Sequence, residues 1–418
     1  MRRRDFLGKS AGLAGSALLP TGLGAFYNIP ALPKGEEPEK NEVYWAQISQ
    51  LYPRPEGYIN LENGYFSHQP LPVLEFHRQK ERDLNTRNSW VMRREQTGII
   101  ENSRKDLAQF LGCDAEELAI TRNTTESLNT VIMGYPWKKG DEVVIGDQDY
   151  GSMVEAFKQA ANRYGIKLRE ASVPLNPVSD EQVVNAYSSL FTSKTRMVHI
   201  THLINLTGQV VPVAAIAAVA RKKGILSAVD SAHAVAHIQF SIPDLQADFV
   251  GASLHKWLCN ALGTGFLWMK KEHIEKIWPL MGDTGLPKTN IRRFEHQGTR
   301  PLHTIESIGE ALRFHQKIGS ELKEKRLRYL MQYWTSKVTD LPKIKLLTPH
   351  RDDKRCGAIA NVAVDGYSPD ELSKVLYDKF RIFTVAINHP VVNGVRITPH
   401  LSSSLEDLDA LVAALTTL

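Results

Sequence analysis

The chain reads as a three-layer α/β fold: a large domain built on a mainly parallel seven-stranded sheet, followed by a smaller α+β C-terminal domain. Three observations predict it. Between about residues 100 and 270, short apolar runs alternate with helical patterns, the signature of strand–helix units on a parallel sheet. Two of those runs stop abruptly at reactive residues, one at Asp230 and one at Ser253-Leu254-His255-Lys256. Past about Arg300 the texture changes to longer helical patterns with fewer strands.

Taken in order, the chain opens with Arg3-Arg4-Asp5-Phe6-Leu7-Gly8-Lys9 and a mildly apolar, Gly/Ala-rich run from Ser10 to about Ala25. That run is too short and too weak for a membrane span. It resembles a bacterial twin-arginine export signal over residues 1–25, with Leu23-Gly24-Ala25 as the small-residue cleavage site. A disordered basic tail is the alternative. The resemblance implies handling by the twin-arginine export machinery and a periplasmic location. That route carries folded proteins, so a cofactor can be loaded first. Residues 26–55, with Pro30, Pro33, Pro38, Pro53 and Pro55, read as a linker.

The large domain is expected over residues 56–300. Its strands are Leu118–Thr121, Glu142–Ile145, Lys167–Ala171, Met197–Thr201, Ile225–Val229, Phe249–Ala252 and Gly265–Met269. Helices fall at Ser127–Met133, Met153–Tyr164, Asp180–Leu190 and Val213–Lys223. The C-terminal domain, 301–418, holds one long helical pattern from Thr304 to about Leu341, an apolar stretch at Gly357–Val364, a helix at Pro369–Lys379, a strand near Val395–Thr398 and a last helix at Leu405–Leu415.

Composition narrows the function. Apolar residues make up 42% and charged residues 23% of 418, ordinary for a soluble globular protein. The net charge is +5, but Arg2, Arg3, Arg4 and Lys9 against Asp5 account for +3 of it. The remaining +2 supports neither nucleic-acid binding nor a membrane surface. Cys113, Cys259 and Cys356 lie far apart and form neither a metal spacing nor a disulfide framework.

Three segments carry chemistry. Arg122-Asn123-Thr124-Thr125-Glu126-Ser127 follows a strand and opens a helix, where free N–H groups and the dipole favour a phosphate. Asn123 with Glu126 three residues on is equally a capping box needing no ligand. Asp230 ends an apolar strand in Ala228-Val229-Asp230-Ser231-Ala232-His233. A carboxylate there keeps a pyridine nitrogen protonated, which makes the ring an electron sink. Lys256 lies 26 residues later in Gly251-Ala252-Ser253-Leu254-His255-Lys256-Trp257. Desolvation at a strand end frees its neutral amine for Schiff-base chemistry. A carboxylate and an amine so placed point to pyridoxal 5′-phosphate (PLP). The plainer readings, a turn-capping Asp and a surface Lys, stand beside each residue taken alone.

Asp230-x-x-His233, Ser253-x-His255-Lys256-Trp257 and Thr124-Thr125-Glu126 together resemble the class V aminotransferases of PLP fold type I, over about residues 57 to 415. The resemblance is greatest to the isopenicillin N epimerase-like branch. It implies Lys256 as the cofactor-bearing amine, Asp230 on the pyridine nitrogen and His233 near the ring hydroxyl. It also implies Thr124, Thr125, Ser253 and His255 around the phosphate, Tyr150 against the ring face and Asn205 beside the phenolic oxygen. Gly298-Thr299 looks like the segment lent to a neighbouring subunit's phosphate, which implies a homodimer. Arg396, in Gly394-Val395-Arg396-Ile397-Thr398, matches the arginine that grips a substrate α-carboxylate; a structural ion pair is the alternative. Asn63, Tyr65, His68, Arg93 and Arg94 are further candidates for the substrate shell.

The resemblance implies a small amino-acid-like substrate and removal of its α-proton by freed Lys256. Reprotonation then gives transamination or epimerisation, and expulsion of a β-substituent gives a lyase. The persulfide-forming members carry a cysteine shortly before the carboxylate arginine. Here that stretch, Thr384 to Val392, has none. An aminotransferase or epimerase is therefore expected, with a C–S or other β-lyase lacking a catalytic cysteine as the alternative. A non-catalytic PLP-binding protein would not need Lys256, Asp230, His233 and Arg396 together.

Overall fold

The computed structural model describes residues 29–282, 285–349 and 353–418; the expected export signal lies outside them. The main sheet has seven strands: β1 Leu118–Thr121, β2 Glu142–Gly146, β3 Lys167–Ala171, β4 Thr195–Thr201, β5 Leu226–Asp230, β6 Phe249–Ser253 and β7 Gly265–Met269. Their order is β1-β7-β6-β5-β4-β2-β3. All pairs are parallel except those of β7, which runs antiparallel to both β1 and β6. The α/β fold expected from the sequence is therefore present, with a mainly parallel sheet of seven strands.

The period of two along each strand divides the core. Ala119, Val143, Ile145 and Ala228 face one apolar cluster, packed by Leu128 and Val131 of helix α2 (Thr124–Gly134) and Met153 and Phe157 of α3 (Gly151–Tyr164). Ile120, Val144 and Val229 face the other, with Ile216 and Ala220 of α4 (Val213–Lys222) and Ile305 and Leu312 of α5 (Leu302–Ile318). Strands covered on both faces must be apolar throughout, and β1, β2, β6 and β7 are buried at every residue. Edge strand β3 instead carries charge, Arg169 pairing with Glu142 at 2.7 Å. The opposite edge is closed by side chains. Ile120 donates its N–H to Glu295 at 2.6 Å, and its carbonyl accepts from Arg300 at 2.8 Å.

The C-terminal sheet is antiparallel: β8 Ile344–Leu346, β9 Ala360–Val364, β10 Val385–Asn388 and β11 Asn393–Ile397, in the order β10-β11-β9-β8. Its core joins Val362 and Ile397 to Leu330 and Trp334 of α6 (Ser320–Val338).

Two expectations need correction. The helical pattern from Thr304 to Leu341 is two helices, α5 and α6, because Gly319 between them adopts φ +89°, outside any right-handed helix. The division of labour follows that break, α5 packing on the large sheet's core and α6 on the small one. Within the stretch expected to be a linker, Glu42–Ser49 forms a helix, α1, that buries Tyr44, Trp45 and Ile48. Arg326 of α6 lies over the Trp45 ring and bonds Glu42, so apolar anchoring wins over the surrounding prolines.

Candidate active site

Parallel topology brings the carboxyl ends of β4, β5 and β6 to one edge, where ligands of open α/β sheets collect. Thr201 pairs with Asp230 at the ends of β4 and β5, and Asp230 with Gly251 of β6. The amino end of α2 opens at the same edge. Gly265 makes this possible: a Cβ there would lie 2.7 Å from the Asn123 Cα and 2.6 Å from the Ala252 carbonyl oxygen. Together these ends surround a cavity of about 320 Å3.

Ten of the eleven residues expected in the site line this one cavity. Thr124, Thr125, Ser253 and His255 line it together with Asp230, His233 and Lys256, and with Tyr150, Asn205 and Arg396. Thr299 does not line it and is exposed on the surface. Tyr65 of the early segment reaches the cavity mouth. Asn63 instead ties the backbone to Thr398, His68 bonds Ser402 outside the cavity, and Arg93 and Arg94 are exposed.

Thr124 and Ser253 are joined at their hydroxyls by 2.8 Å, and the Thr124 N–H donates to Ser253 Oγ at 3.0 Å. The capping box is incomplete. Asn123 accepts from the Glu126 N–H at 2.9 Å, but the Glu126 carboxylate reaches Arg122 rather than returning to Asn123. With the Thr124, Glu126 and Ser127 N–H groups engaged by Ser253 and Asn123, the Thr125 N–H is the first-turn donor left for a ligand among the described residues.

Lys256 is partly buried, and its Nζ lies 2.9 Å from His233 Nε2 and 5.8 Å from the centre of the Tyr150 ring. Desolvation lowers its pKa to about 8; Asp230 opposes the shift and Arg396 adds to it. The imidazole of His233 is fixed from behind. Trp257 Nε1–H, which can only donate, bonds His233 Nδ1 at 3.2 Å. The neutral ring therefore carries its proton on Nε2, facing Lys256. Burial holds His233 neutral, well below the ordinary histidine range. A protonated imidazole N–H opposite an amine suits the neutral amine, in agreement with the depressed lysine. Burial raises the Asp230 carboxyl above its usual range, against the pull of His199 and Lys256.

One pair behind the site was not expected. Asp149 Oδ2 accepts from His199 Nδ1 at 2.7 Å and Oδ1 from Thr201 Oγ1 at 2.6 Å. Burial alone would lower the His199 pKa, but the Asp149 carboxylate and Asp230 more than offset it, so the ring is pushed up. A histidine inside an apolar strand otherwise reads as core, so sequence carried no signal for it.

The residues fit a phosphorylated aromatic aldehyde. Asn205 Oδ1 and His255 Nδ1 are buried polar atoms with no hydrogen-bond partner among the described residues, and both side chains line the cavity. An amine, an acid and a helix amino end on one cavity match the aldehyde, ring nitrogen and phosphate of PLP. No cysteine lines the cavity. Burial pushes the Cys259 thiol up to about 11 and the Cys113 thiol to about 12, and Cys356 is buried between β8 and β9, bridged to Gln209.

Comparison with known proteins agrees. The chain is 27% identical over 375 residues to isopenicillin N epimerase of Streptomyces clavuligerus, covering 85% of this chain and 94% of that protein. It is 25% identical over 389 residues to a probable cysteine desulfurase of Streptomyces coelicolor, covering 85% and 91%. In fold it is similar to a cysteine desulfurase from Thermococcus onnurineus NA1, with TM-score 0.79 at 23% identity over 89% of this chain and 97% of that one. Residues 67–407 match the aminotransferase class-V family, so the chain belongs to that family and is a PLP-dependent enzyme of fold type I.

Proposed function

We propose that this enzyme acts at the α-carbon of an amino acid or amino-acyl compound, as an aminotransferase or epimerase. One observation carries the reading: the Lys256 amine, held against neutral His233, shares a cavity with Asp230 and Arg396 and with no thiol. Bound there, PLP supplies an electrophilic carbonyl and a protonated ring that withdraws electrons from the substrate α-carbon.

The chain does the rest. Thr124, Thr125, Ser253 and His255 hold the phosphate, with the Thr125 N–H in the first turn of α2 as a further donor. Asp230 keeps the ring nitrogen protonated, and Asp149–His199 supports the charge of Asp230. Tyr150 covers one face, and Asn205 and His233 meet the ring oxygen. Arg396 orients the substrate carboxyl group. Lys256, whose amine is neutral in a substantial fraction near pH 8, takes the α-proton, and the ammonium it becomes is an acid for the second proton transfer. The exposed Gly298-Thr299 turn belongs to a second copy's phosphate site in a homodimer. Residues 1–25 direct twin-arginine export to the periplasm. No helix among the described residues is long and apolar enough to cross a membrane.

Similarity to cysteine desulfurases favours a second reading, β-elimination without a protein thiol. Products separate the two. The holoenzyme is incubated in deuterium oxide with a panel of L-amino acids, with and without a 2-oxo acid acceptor. Amino transfer to the acceptor, or α-deuteration with loss of chirality, supports the proposal. Release of ammonia with sulfide or another β-substituent from the same panel, and neither of the other outcomes, overturns it.

A further inference from the structure

Arg396 already holds a carboxylate of this chain. Its Nη2 donates to Glu62 Oε1 at 2.6 Å and its Nε to Glu62 Oε2 at 3.3 Å, filling one edge of the guanidinium. Nη1 donates to the Asn205 carbonyl at 3.2 Å. The two side chains are 8% and 7% exposed, so water screens the pair little. Of five guanidinium N–H groups three are engaged, which leaves one on each terminal nitrogen.

Glu62 is not free to swing aside. Its Oε1 also accepts the Tyr65 N–H at 2.8 Å, and the next residue, Asn63, is pinned to Thr398 by two hydrogen bonds of 2.6 and 2.9 Å. The backbone presses on the guanidinium as well: a Cβ on Gly64 would lie 3.0 Å from Arg396 Cζ.

We infer that Glu62 is a specificity-determining residue: by neutralising Arg396 it leaves the carboxyl-end subsite with two N–H donors and no net charge, suited to an amide carbonyl as well as to a free carboxylate. An unpaired buried arginine would favour a carboxylate strongly, because charge-assisted bonds are about twice as strong as neutral ones. A second carboxylate in contact with the same guanidinium cancels that advantage through like-charge repulsion. The substrate class that fits has a free α-amine and an amide-blocked carboxyl group, as at the amino end of a peptide. This rests on the reading of Arg396 as the residue that meets the substrate carboxyl group.

The test uses holoenzyme and two probes without an α-proton, 2-aminoisobutyrate and its carboxamide. Their dissociation constants are read from the change in visible absorbance of the lysine-bound cofactor. Wild type should bind the two within about ten-fold of each other, and Glu62→Gln and Glu62→Ala should each shift the ratio toward the carboxylate by about ten-fold or more. An unchanged ratio in both variants, with the cofactor band and thermal midpoint intact, overturns the inference. Equal loss of both ligands also overturns it, since Glu62 would then merely position Arg396. A wild type without the cofactor band sinks the reading of the site itself, a failure distinct from these.

Discussion

The amine of Lys256 is the group whose chemistry the structure quantifies best. An ordinary lysine, with pKa 10.5, is neutral in about three molecules in ten thousand at pH 7; a pKa of about 8 raises that to about one in ten. The reactive fraction at neutral pH is thus increased roughly 300-fold over a surface lysine. The perturbation to apply is pH, followed by Asp230→Asn. In cofactor-free protein, reductive methylation of the Lys256 peptide, followed by mass spectrometry, should rise through a midpoint near pH 8. The surface lysines serve as internal controls for reagent delivery. Desolvation is the main cause of the shift, and Asp230 is the leading group opposing it. Removing that charge disfavours the ammonium further, so Asp230→Asn should move the midpoint below 8. A wild-type midpoint near 10, or an upward shift in the variant, would refute the assignment of Lys256 as a desolvated nucleophile.

Two further outcomes follow from the same geometry. Lys256→Ala should abolish covalent retention of PLP and its visible absorbance; a band that survives in the variant would place the cofactor on another amine. Glu295→Gln should destabilise the fold by about 3–5 kcal/mol in denaturant unfolding, because Arg104, only 1% exposed, and buried Arg300 would lose their shared carboxylate. A change below about 1 kcal/mol would show that this network is not what seals the β1 edge.

The site was legible where chemistry interrupts a local pattern. Asp230 ends β5 and Ser253 ends β6, so an apolar run stopping at a polar residue marked both the strand end and the ligand edge. Thr124 was legible because a strand, a cap and a helix follow one another within a few residues. Relations formed only by folding were not. Glu62 and Arg396 are 334 residues apart, and nothing local to Glu62 distinguishes it from a surface acid. Asp149 and His199 meet because β2 and β4 are neighbours in the sheet while β3 intervenes in the chain. The break at Gly319 was lost for a different reason. One glycine inside a helical pattern costs only about 1 kcal/mol, so periodicity alone does not reveal that it turns.

Trp257 shows how a neighbour in sequence can set chemistry through space. It follows Lys256 directly, yet its indole bonds His233, 24 residues upstream, and so decides which imidazole nitrogen bears the proton. Because His233 Nδ1 is committed to the indole, Nε2–H must face Lys256, and an ammonium there would meet a donor instead of an acceptor. Moving the proton to Nδ1 would break the indole bond, and burial opposes the second proton that would put a cation beside the amine. Desolvation and hydrogen-bond polarity thus act in one direction on one nitrogen. The Asp230 charge, acting in the other direction, is what keeps the amine able to regain a proton within the physiological range. A group that must give and take the same proton needs both influences, and the residues at and just after the ends of β5 and β6 supply them within one cavity.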